Sequence, residues 1–264
     1  MTFKDLGLSE QTIRAIEEMG IKRPTTVQND VIPSVLEGKD IFTIAPGRCG
    51  KTCSYVFPLI DIISRRQGQN ILIITADSAQ AVKVSDRLAV FNKYHDFSEQ
   101  ALSENSDDVN CEANVIIAAP DLLLEIAAEG KIDLSAVNIL VVDDINLIKK
   151  KHQLASLEKI LDLLPADKQN IVFTNRRSKE TQDILDKILK TPAEIKVDRT
   201  KEDEASAPEP ATESKKAEPT KEKSGFAVPE IDEEAVALMN RYKNFGAKTP
   251  EFLLLKGELA DNEA

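Results

Sequence analysis

The residues best suited to chemistry lie in one short segment, residues 45–52. This segment reads Ala-Pro-Gly-Arg-Cys-Gly-Lys-Thr and fits [AG]-x-x-x-x-G-K-[ST], the pattern of a loop that binds nucleotide phosphates. In such a loop, backbone N–H groups at a helix start face the phosphates, a lysine reaches the β- and γ-phosphates, and a hydroxyl group binds Mg²⁺. Gly50, Lys51 and Thr52 would supply these groups, with Thr52 as a metal ligand. The other predicted loop residues are Ala45, Gly47, Arg48 and Cys49.

The elements around this segment alternate regularly. Apolar runs rich in β-branched residues occupy residues 40–45, 70–75, 114–119, 138–143 and 170–175, and they are accompanied by amphipathic stretches at 78–91, 121–129 and 178–189. Continuous apolar strands separated by helices are typical of a parallel sheet covered on both faces, so the predicted fold class is α/β. The loop follows the first run and a helix begins at Lys51, which is the context that a phosphate-binding loop requires.

The charge balance limits the partners. The 264 residues carry a formal net charge of −11, so the chain as a whole repels nucleic acid. Contact with RNA would depend on a local basic patch, and the two compact basic clusters, residues 149–152 and 176–179, are better explained as solvated helix surfaces. No segment reaches 18 uninterrupted apolar residues, no export signal is recognised, and the three cysteines are too few for a disulfide framework. We therefore expect a cytoplasmic protein without membrane contact.

The composition changes after residue 198. Residues 199–224 contain no aromatic and no large aliphatic side chain, which predicts a disordered linker. Residues 225–264 regain apolar positions at helical spacing and predict a short helical tail. This tail either docks on a protein partner or packs back on the domain formed by residues 1–198.

Further segments occur in a characteristic order. Phe3 precedes the stretch "LGLSEQTIRAIEEMGIKRPTTVQ", which ends at Gln28, and "DDIN" (143–146) follows the fourth apolar run. Together with the loop, these segments resemble the first RecA-like domain of DEAD-box RNA helicases over residues 1–198. The resemblance implies a RecA-like fold with a phosphate loop, and binding of ATP or ADP with Mg²⁺.

The resemblance assigns the adenine contact to two residues. Phe3 would stack on the adenine ring, and Gln28 would read its amino edge. The chemistry agrees, because a side-chain amide can make paired hydrogen bonds to N6 and N7 of adenine but not to guanine. Without the resemblance, Phe3 would be interpreted as a core aromatic and Gln28 as a surface residue of the helix that follows Thr25.

The acidic segment departs from the family's residues. Asp143-Asp144-Ile145-Asn146 stands in place of Asp-Glu-Ala-Asp. The resemblance implies that Asp143 holds hydrated Mg²⁺ and that Asp144, the candidate catalytic residue, replaces a longer glutamate that orients the attacking water. Misplacing a reacting group by about 1 Å can lower a rate by about 10²-fold, so we expect slow hydrolysis. Asn146, together with Thr174-Asn175-Arg176 in place of Ser-Ala-Thr, leaves open whether nucleotide state is coupled to movement.

Departures also occur in the loop and in the segments that face RNA in the family. Arg48 replaces a loop glycine, and a positive φ there would cost about 1–2 kcal/mol. Residues 76–81 replace Pro-Thr-Arg-Glu-Leu-Ala, and residues 119–122 replace Thr-Pro-Gly-Arg. We predict that Asp121 caps a helix whose positive end would otherwise receive a phosphate. Weak or lost RNA binding is expected, and three nearby acids add to the repulsion: Glu104, Asp107 and Asp108.

Three functions are compatible with these residues. The first is a degenerate DEAD-box-like protein that binds ATP, hydrolyses it slowly or not at all, and acts as a regulator or scaffold in RNA metabolism. The second is an ATP-dependent RNA helicase subunit completed by a partner chain, because residues 199–264 do not resemble the family's second RecA-like domain and unwinding by this chain alone is not expected. The third is a non-enzymatic interaction module whose pocket is empty.

Overall fold

The computed structural model describes residues 1–65, 68–103, 109–110 and 113–197. The predicted linker (199–224) and helical tail (225–264) lie outside the described residues. So do the acids Glu104, Asp107 and Asp108, and Cys111.

The described residues form a seven-stranded sheet in which every pairing is parallel. Its strands are β1 (Ile41–Ile44), β2 (Ile71–Ile74), β3 (Glu99–Ala101), β4 (Val115–Ala118), β5 (Ile139–Val142), β6 (Gln169–Thr174) and β7 (Ala193–Lys196), in the spatial order β3-β4-β2-β5-β6-β1-β7. The five predicted strands are confirmed. The short edge strands β3 and β7 were not predicted.

Helices cover both faces of the sheet, as predicted. They are α1 (Glu10–Glu18), α2 (Thr26–Leu36), α3 (Lys51–Arg65), α4 (Ser78–Phe91), α5 (Pro120–Ala128), α6 (Ile145–Lys150), α7 (Leu154–Leu163) and α8 (Gln182–Ile188), with short 3₁₀ turns at Phe3–Leu6, Asn92–Tyr94 and Lys179–Thr181. One hydrophobic core lies under α1 to α4, and a second lies under α5 to α8. Alternate strand residues point into each core, which explains why the strands are apolar on both sides. Within the described residues, no helix is both long and apolar enough to cross a membrane.

The strand order determines which loops meet. Strand β6 lies between β5 and β1. The acidic segment after β5, the Thr174-Asn175-Arg176 segment after β6 and the phosphate loop after β1 therefore leave the same edge of the sheet side by side. In open parallel sheets, ligands bind in the crevice outside the carboxyl ends of the strands.

Candidate nucleotide-binding site

The phosphate loop connects β1 to α3 and has a constrained backbone. The Ala45 N–H donates to the carbonyl oxygen of Thr174 (2.9 Å), and the Lys51 Nζ donates to the carbonyl oxygen of Ala45 (3.2 Å). Both Arg48 (φ 64°) and Gly50 (φ 88°) have a positive φ. Arg48 therefore adopts the left-handed conformation that favours glycine, which costs a non-glycine residue about 1–2 kcal/mol.

The start of α2 packs against this loop at Gly50. A Cβ on Gly50 would lie 2.9 Å from the Gln28 Nε2 and 3.0 Å from the Thr25 Oγ1, so only glycine fits without displacement. The Thr25 hydroxyl donates to the carbonyl oxygen of Cys49 (2.9 Å). The N-terminal segment is thus attached directly to the loop.

Gln28 is at the loop and is not a surface residue, since only 4% of it is exposed. Its Oε1 accepts a hydrogen bond from the Thr25 N–H (3.0 Å), completing a capping box at the start of α2, and its Nε2 lies 3.5 Å from the carbonyl oxygen of Gly50. Recognition of adenine by Gln28 stays a prediction, and it requires the amide to exchange these partners for the base.

Phe3 lies in the hydrophobic core. It is 4% exposed, and its ring packs edge-to-face on Phe57 of α3 with the centroids 5.8 Å apart. In this arrangement the ring offers no free face to adenine, and its packing is that of a core aromatic. Stacking of Phe3 on adenine stays a prediction that requires the ring to leave this position.

The side chain of Asp144 caps the start of helix α6. Its Oδ1 accepts hydrogen bonds from the backbone N–H groups of Asn146 (3.1 Å) and Leu147 (3.4 Å), so it is the N-cap of the helix. Its Oδ2 lies 3.9 Å from the Lys51 Nζ. Burial raises the pKa of Asp144, and the Lys51 ammonium opposes this shift. The lysine of the loop and the candidate catalytic acid therefore face each other.

The predicted metal ligands Asp143 and Thr52 lie beside Tyr55, which sequence reasoning did not include. Burial raises the pKa of Asp143, and interactions with Tyr55 and Lys51 oppose the shift. Burial, and then the neighbouring Asp143, raise the pKa of Tyr55 well above its usual range, and Tyr55 also interacts with Thr52. The Tyr55 hydroxyl is buried close to both residues without a well-aligned hydrogen bond to either.

The pair of Asp143 and Thr52 fits Mg²⁺ better than a metal held by protein alone. Among the described residues, no group of three or more His, Cys, Asp or Glu side chains converges. Mg²⁺ typically takes one or two carboxylates, several waters and the phosphates of the substrate. One carboxylate on Asp143 and one hydroxyl on Thr52 match that requirement. The Tyr55 hydroxyl beside them is buried without a hydrogen-bond partner among the described residues.

Asn146 links the acidic segment to the loop that follows β6. Its Nδ2 donates to the Thr174 Oγ1 (2.7 Å) and to the carbonyl oxygen of Arg176 (2.7 Å), and it lies 3.1 Å from the Asn175 Oδ1. A physical connection between the two segments is therefore present, although its residues differ from those of the family.

The edge that faces RNA in the family carries acids at two helix starts. Asp77 caps α4, with its Oδ1 accepting from the Gln80 N–H (2.9 Å), and it pairs with the Lys151 Nζ (3.2 Å). The prediction that Asp121 caps α5 is wrong. The N-cap is Ala119, since Pro120 takes the first helical position, and Asp121 lies exposed in the first turn. Its charge still lies near the positive end of the helix.

Half of the lysines and arginines in the two basic clusters are paired with acids. Lys149 binds Glu180, and Arg177 binds Glu194. These pairs support the interpretation of the clusters as ordinary polar surface. Unlike the guanidinium of Arg177, that of Arg176 forms no ion pair or hydrogen bond with the residues that the structure describes.

A cavity of about 530 Å³ lies along the carboxyl ends of β1, β6 and β7. It begins at the phosphate loop with Ala45 and Pro46, and it continues along Asn175, Arg176 and Arg177 to Lys196 at the end of β7. This volume is within the range of small-molecule sites.

A buried polar network that sequence reasoning missed attaches α1 to α3. Asp61 of α3 is fully buried and accepts hydrogen bonds from the Ser9 N–H (2.6 Å), the Ser9 hydroxyl (2.7 Å) and the Thr12 hydroxyl. His95 joins the network, 3.0 Å from the Thr12 Oγ1 and 2.7 Å from the Ser64 Oγ. The signal was available in the sequence, since Asp61 is a lone acid in the apolar run "PLIDII".

The chain is similar to known proteins in sequence. Residues 25–184 match the family described as DEAD/DEAH box helicase. The chain is 26% identical over 202 residues to the DEAD-box ATP-dependent RNA helicase RhpA of Helicobacter pylori (strain B128), an alignment that covers 74% of this chain and 41% of that protein. The chain thus spans less than half the length of this relative.

Two solved structures are similar in fold. A DEAD box protein from the hyperthermophile Methanococcus jannaschii has a TM-score of 0.69 at 24% identity, covering 74% of this chain and 56% of that one. A hypothetical ATP-dependent RNA helicase from Sulfolobus tokodaii has a TM-score of 0.65 at 24% identity, covering 72% and 57%. These likenesses show that the sheet and its helices have the RecA-like fold.

Proposed function

Because the chain belongs to the DEAD/DEAH box helicase family, whose members generally use ATP with Mg²⁺ and bind RNA, we propose that residues 1–198 bind ATP or ADP and act as a regulator or scaffold in RNA metabolism. The observation that carries the proposal is the convergence of Lys51 with Asp143 and Asp144 at the start of α3. A lysine facing the half-buried Asp143 and the buried Asp144 at this edge provides separate partners for phosphate and for a metal ion.

The residues of the site have distinct roles in this proposal. The loop backbone and the N-terminus of α3 bind the phosphates, and Lys51 exchanges the Ala45 carbonyl for a phosphate oxygen. Thr52 and Asp143 would hold Mg²⁺, which neutralises charge on the phosphates when bound.

Hydrolysis is slow in this proposal because the Asp144 carboxylate is the N-cap of α6. A carboxylate that accepts two backbone N–H groups of α6 has limited freedom to orient a water molecule. Its shorter side chain adds to the distance from the phosphates, and errors of about 1 Å can cost about 10²-fold in rate.

Weak RNA binding is supported by the charge at the helix starts. Asp77 satisfies the first turn of α4 with its own carboxylate, and Asp121 places a second acid in the first turn of α5. Both helix ends would otherwise attract phosphates, and like charge there lowers the affinity for a polynucleotide.

One observation favours a second candidate, an RNA helicase subunit completed by a partner chain. The hydrogen bonds of Asn146 to Thr174 and Arg176 keep the acidic segment tied to the loop after β6. Such a link can report the nucleotide state to another domain. Under this alternative, adding the partner restores ATP turnover stimulated by RNA.

A nucleotide titration tests the proposal. Thermal melts with MgATP, MgADP and MgGTP should show stabilisation by the adenine nucleotides only, with about 2.7 kcal/mol at a ligand concentration of 100 Kd. Lys51→Ala should abolish the shift, and the exposed Lys190→Ala should leave it unchanged.

Gln28→Glu is the sharpest probe of adenine recognition, because it retains the acceptor of the capping box while removing the amide donor. It should lower the preference for ATP over GTP without unfolding the domain. Absence of any shift with millimolar ATP would instead support an interaction module with an empty pocket.

A further inference from the structure

Arg176 lies in the middle one of the three loops that form the candidate site. It follows Thr174, the last residue of β6, by two positions, and β6 lies between β5 and β1. The loop that carries Arg176 therefore leaves the sheet between the acidic pair on one side and the phosphate loop on the other.

The backbone at Arg176 is held by both neighbours. Its carbonyl oxygen accepts from the Asn146 Nδ2 (2.7 Å) and from the Thr174 hydroxyl (2.8 Å), while the Thr174 carbonyl accepts from the Ala45 N–H (2.9 Å). These bonds connect the loop to the acidic segment and to the phosphate loop at once. Arg176 is thus fixed at its backbone, whereas its side chain is exposed and has no partner within the described residues.

The cavity beside Arg176 carries uncompensated positive charge. Of the cations that line it, Arg177 is paired with Glu194 and lies over the Phe42 ring (5.6 Å to the centroid). No described acid pairs with Arg176 or Lys196. Ala45 lines the same cavity, and its carbonyl oxygen is the acceptor of the Lys51 ammonium. The first residue of the phosphate loop, Ala45, therefore contacts Lys51 and shares a cavity with Arg176.

We propose that Arg176 binds the terminal phosphate of ATP from within the same chain and so makes the site distinguish ATP from ADP. This inference rests on the proposed nucleotide binding. A guanidinium is suited to the task, because its planar fork donates two parallel hydrogen bonds to phosphate oxygens. ADP lacks the phosphate that Arg176 would reach, so the residue contributes little to ADP binding.

Calorimetric titration of MgATP and MgADP tests the proposal on the full chain. In Arg176→Ala, the affinity for ATP should fall on the order of tenfold to a hundredfold, as expected for loss of hydrogen bonds to a charged group, and ADP affinity should stay within about twofold of wild type. Arg176→Lys retains the positive charge but lacks the planar guanidinium, and it should lose less ATP affinity than Arg176→Ala. Lys179→Ala is the matched control, since Lys179 is an exposed cation of the same segment that does not line the cavity, and both affinities should be unchanged.

Other outcomes would overturn the inference. Equal weakening of ATP and ADP, or no change in either, would show that Arg176 does not contact the terminal phosphate. A loss of affinity for single-stranded RNA, with an unchanged ratio of ATP to ADP affinity, would assign Arg176 to a polynucleotide instead. If wild type bound neither nucleotide, the proposed function itself would fail, whereas the first two outcomes leave it intact. Thermal melts should show that all three variants remain folded, because only exposed side-chain atoms change.

Discussion

Replacing Asp144 with glutamate is expected to lower the stability of the domain and to raise its rate of ATP hydrolysis. Asp144 is both the N-cap of α6 and the acid that faces Lys51. Glutamate restores the missing methylene but is a poor N-cap, because its longer side chain does not fold back onto the first turn as aspartate does. The two properties should therefore change in opposite directions.

The expected sizes follow from the structure. Losing a cap that accepts two backbone N–H groups costs about 1 kcal/mol, which lowers the melting temperature of a domain of this size by about 2–4 °C. Asp144→Asn retains the cap and removes a carboxylate whose pKa is raised by burial, so it should be at least as stable as wild type at neutral pH. The rate of hydrolysis in Asp144→Glu should rise by up to about 10²-fold.

Thermal melts and single-turnover hydrolysis of MgATP, measured on wild type and the Asn, Glu and Ala variants of Asp144, provide the test. Asp144→Ala should lose the cap and also remain slow. If Asp144→Glu melted at the wild-type temperature, the capping role would be refuted. If it lost stability without gaining rate, commitment of the carboxylate to α6 would not be what limits hydrolysis.

Three further predictions concern single residues. Burial lowers the pKa of His95, although the charge of Asp61 opposes this shift, so the unfolded chain binds the proton more readily and the stability of the domain should fall as the pH drops below 6.5. His95→Gln should remove this dependence when urea unfolding is compared at about pH 7.5 and about pH 5.5. Gly50→Ala should lower the free energy of unfolding in urea by at least about 1–2 kcal/mol and also weaken nucleotide binding, because the added Cβ would meet Gln28. Stability and binding equal to wild type would refute the packing of α2 against Gly50. Arg48→Gly should raise the melting temperature slightly, since relief of φ 64° outweighs the entropy cost of glycine, and a decrease would show that the arginine has a stabilising contact.

The sequence predicts the centre of the fold better than its edges. Strands such as β2 and β5 are buried on both faces, so each is a continuous apolar run between turn residues. The edge strands β3 and β7 are partly exposed, and their sequences, Glu-Gln-Ala and Ala-Glu-Ile-Lys, contain no apolar run. They form strands because they pair with β4 and β1, which is a tertiary effect.

The sequence names candidate site residues but does not predict their contacts, and it does not foresee that Phe3 packs on Phe57 in the core. The loop at residues 45–52 follows from its motif and Asp143 from the resemblance to the family's acidic segment, whereas the burial of Gln28 depends on how α2 docks against Gly50. The predicted N-cap of α5, Asp121, was wrong because of its neighbour Pro120. Pro120 is favoured at the first helical position, which moves the cap to Ala119 and leaves Asp121 in the first turn.

Asp144 and Arg176 would act on the same phosphate in opposite ways. An aspartate held by α6 would lower the rate at which a water molecule attacks the terminal phosphate, whereas the guanidinium of Arg176, whose backbone carbonyl is held by Asn146 and Thr174, would strengthen binding of that phosphate. Binding that is equally strong in the ground state and the transition state lowers the dissociation constant without raising the rate of the chemical step. Under the proposed function, a site with both features would retain ATP for long periods, and a long-lived ATP-bound state would suit a regulator or scaffold, because its partners would then meet one conformation.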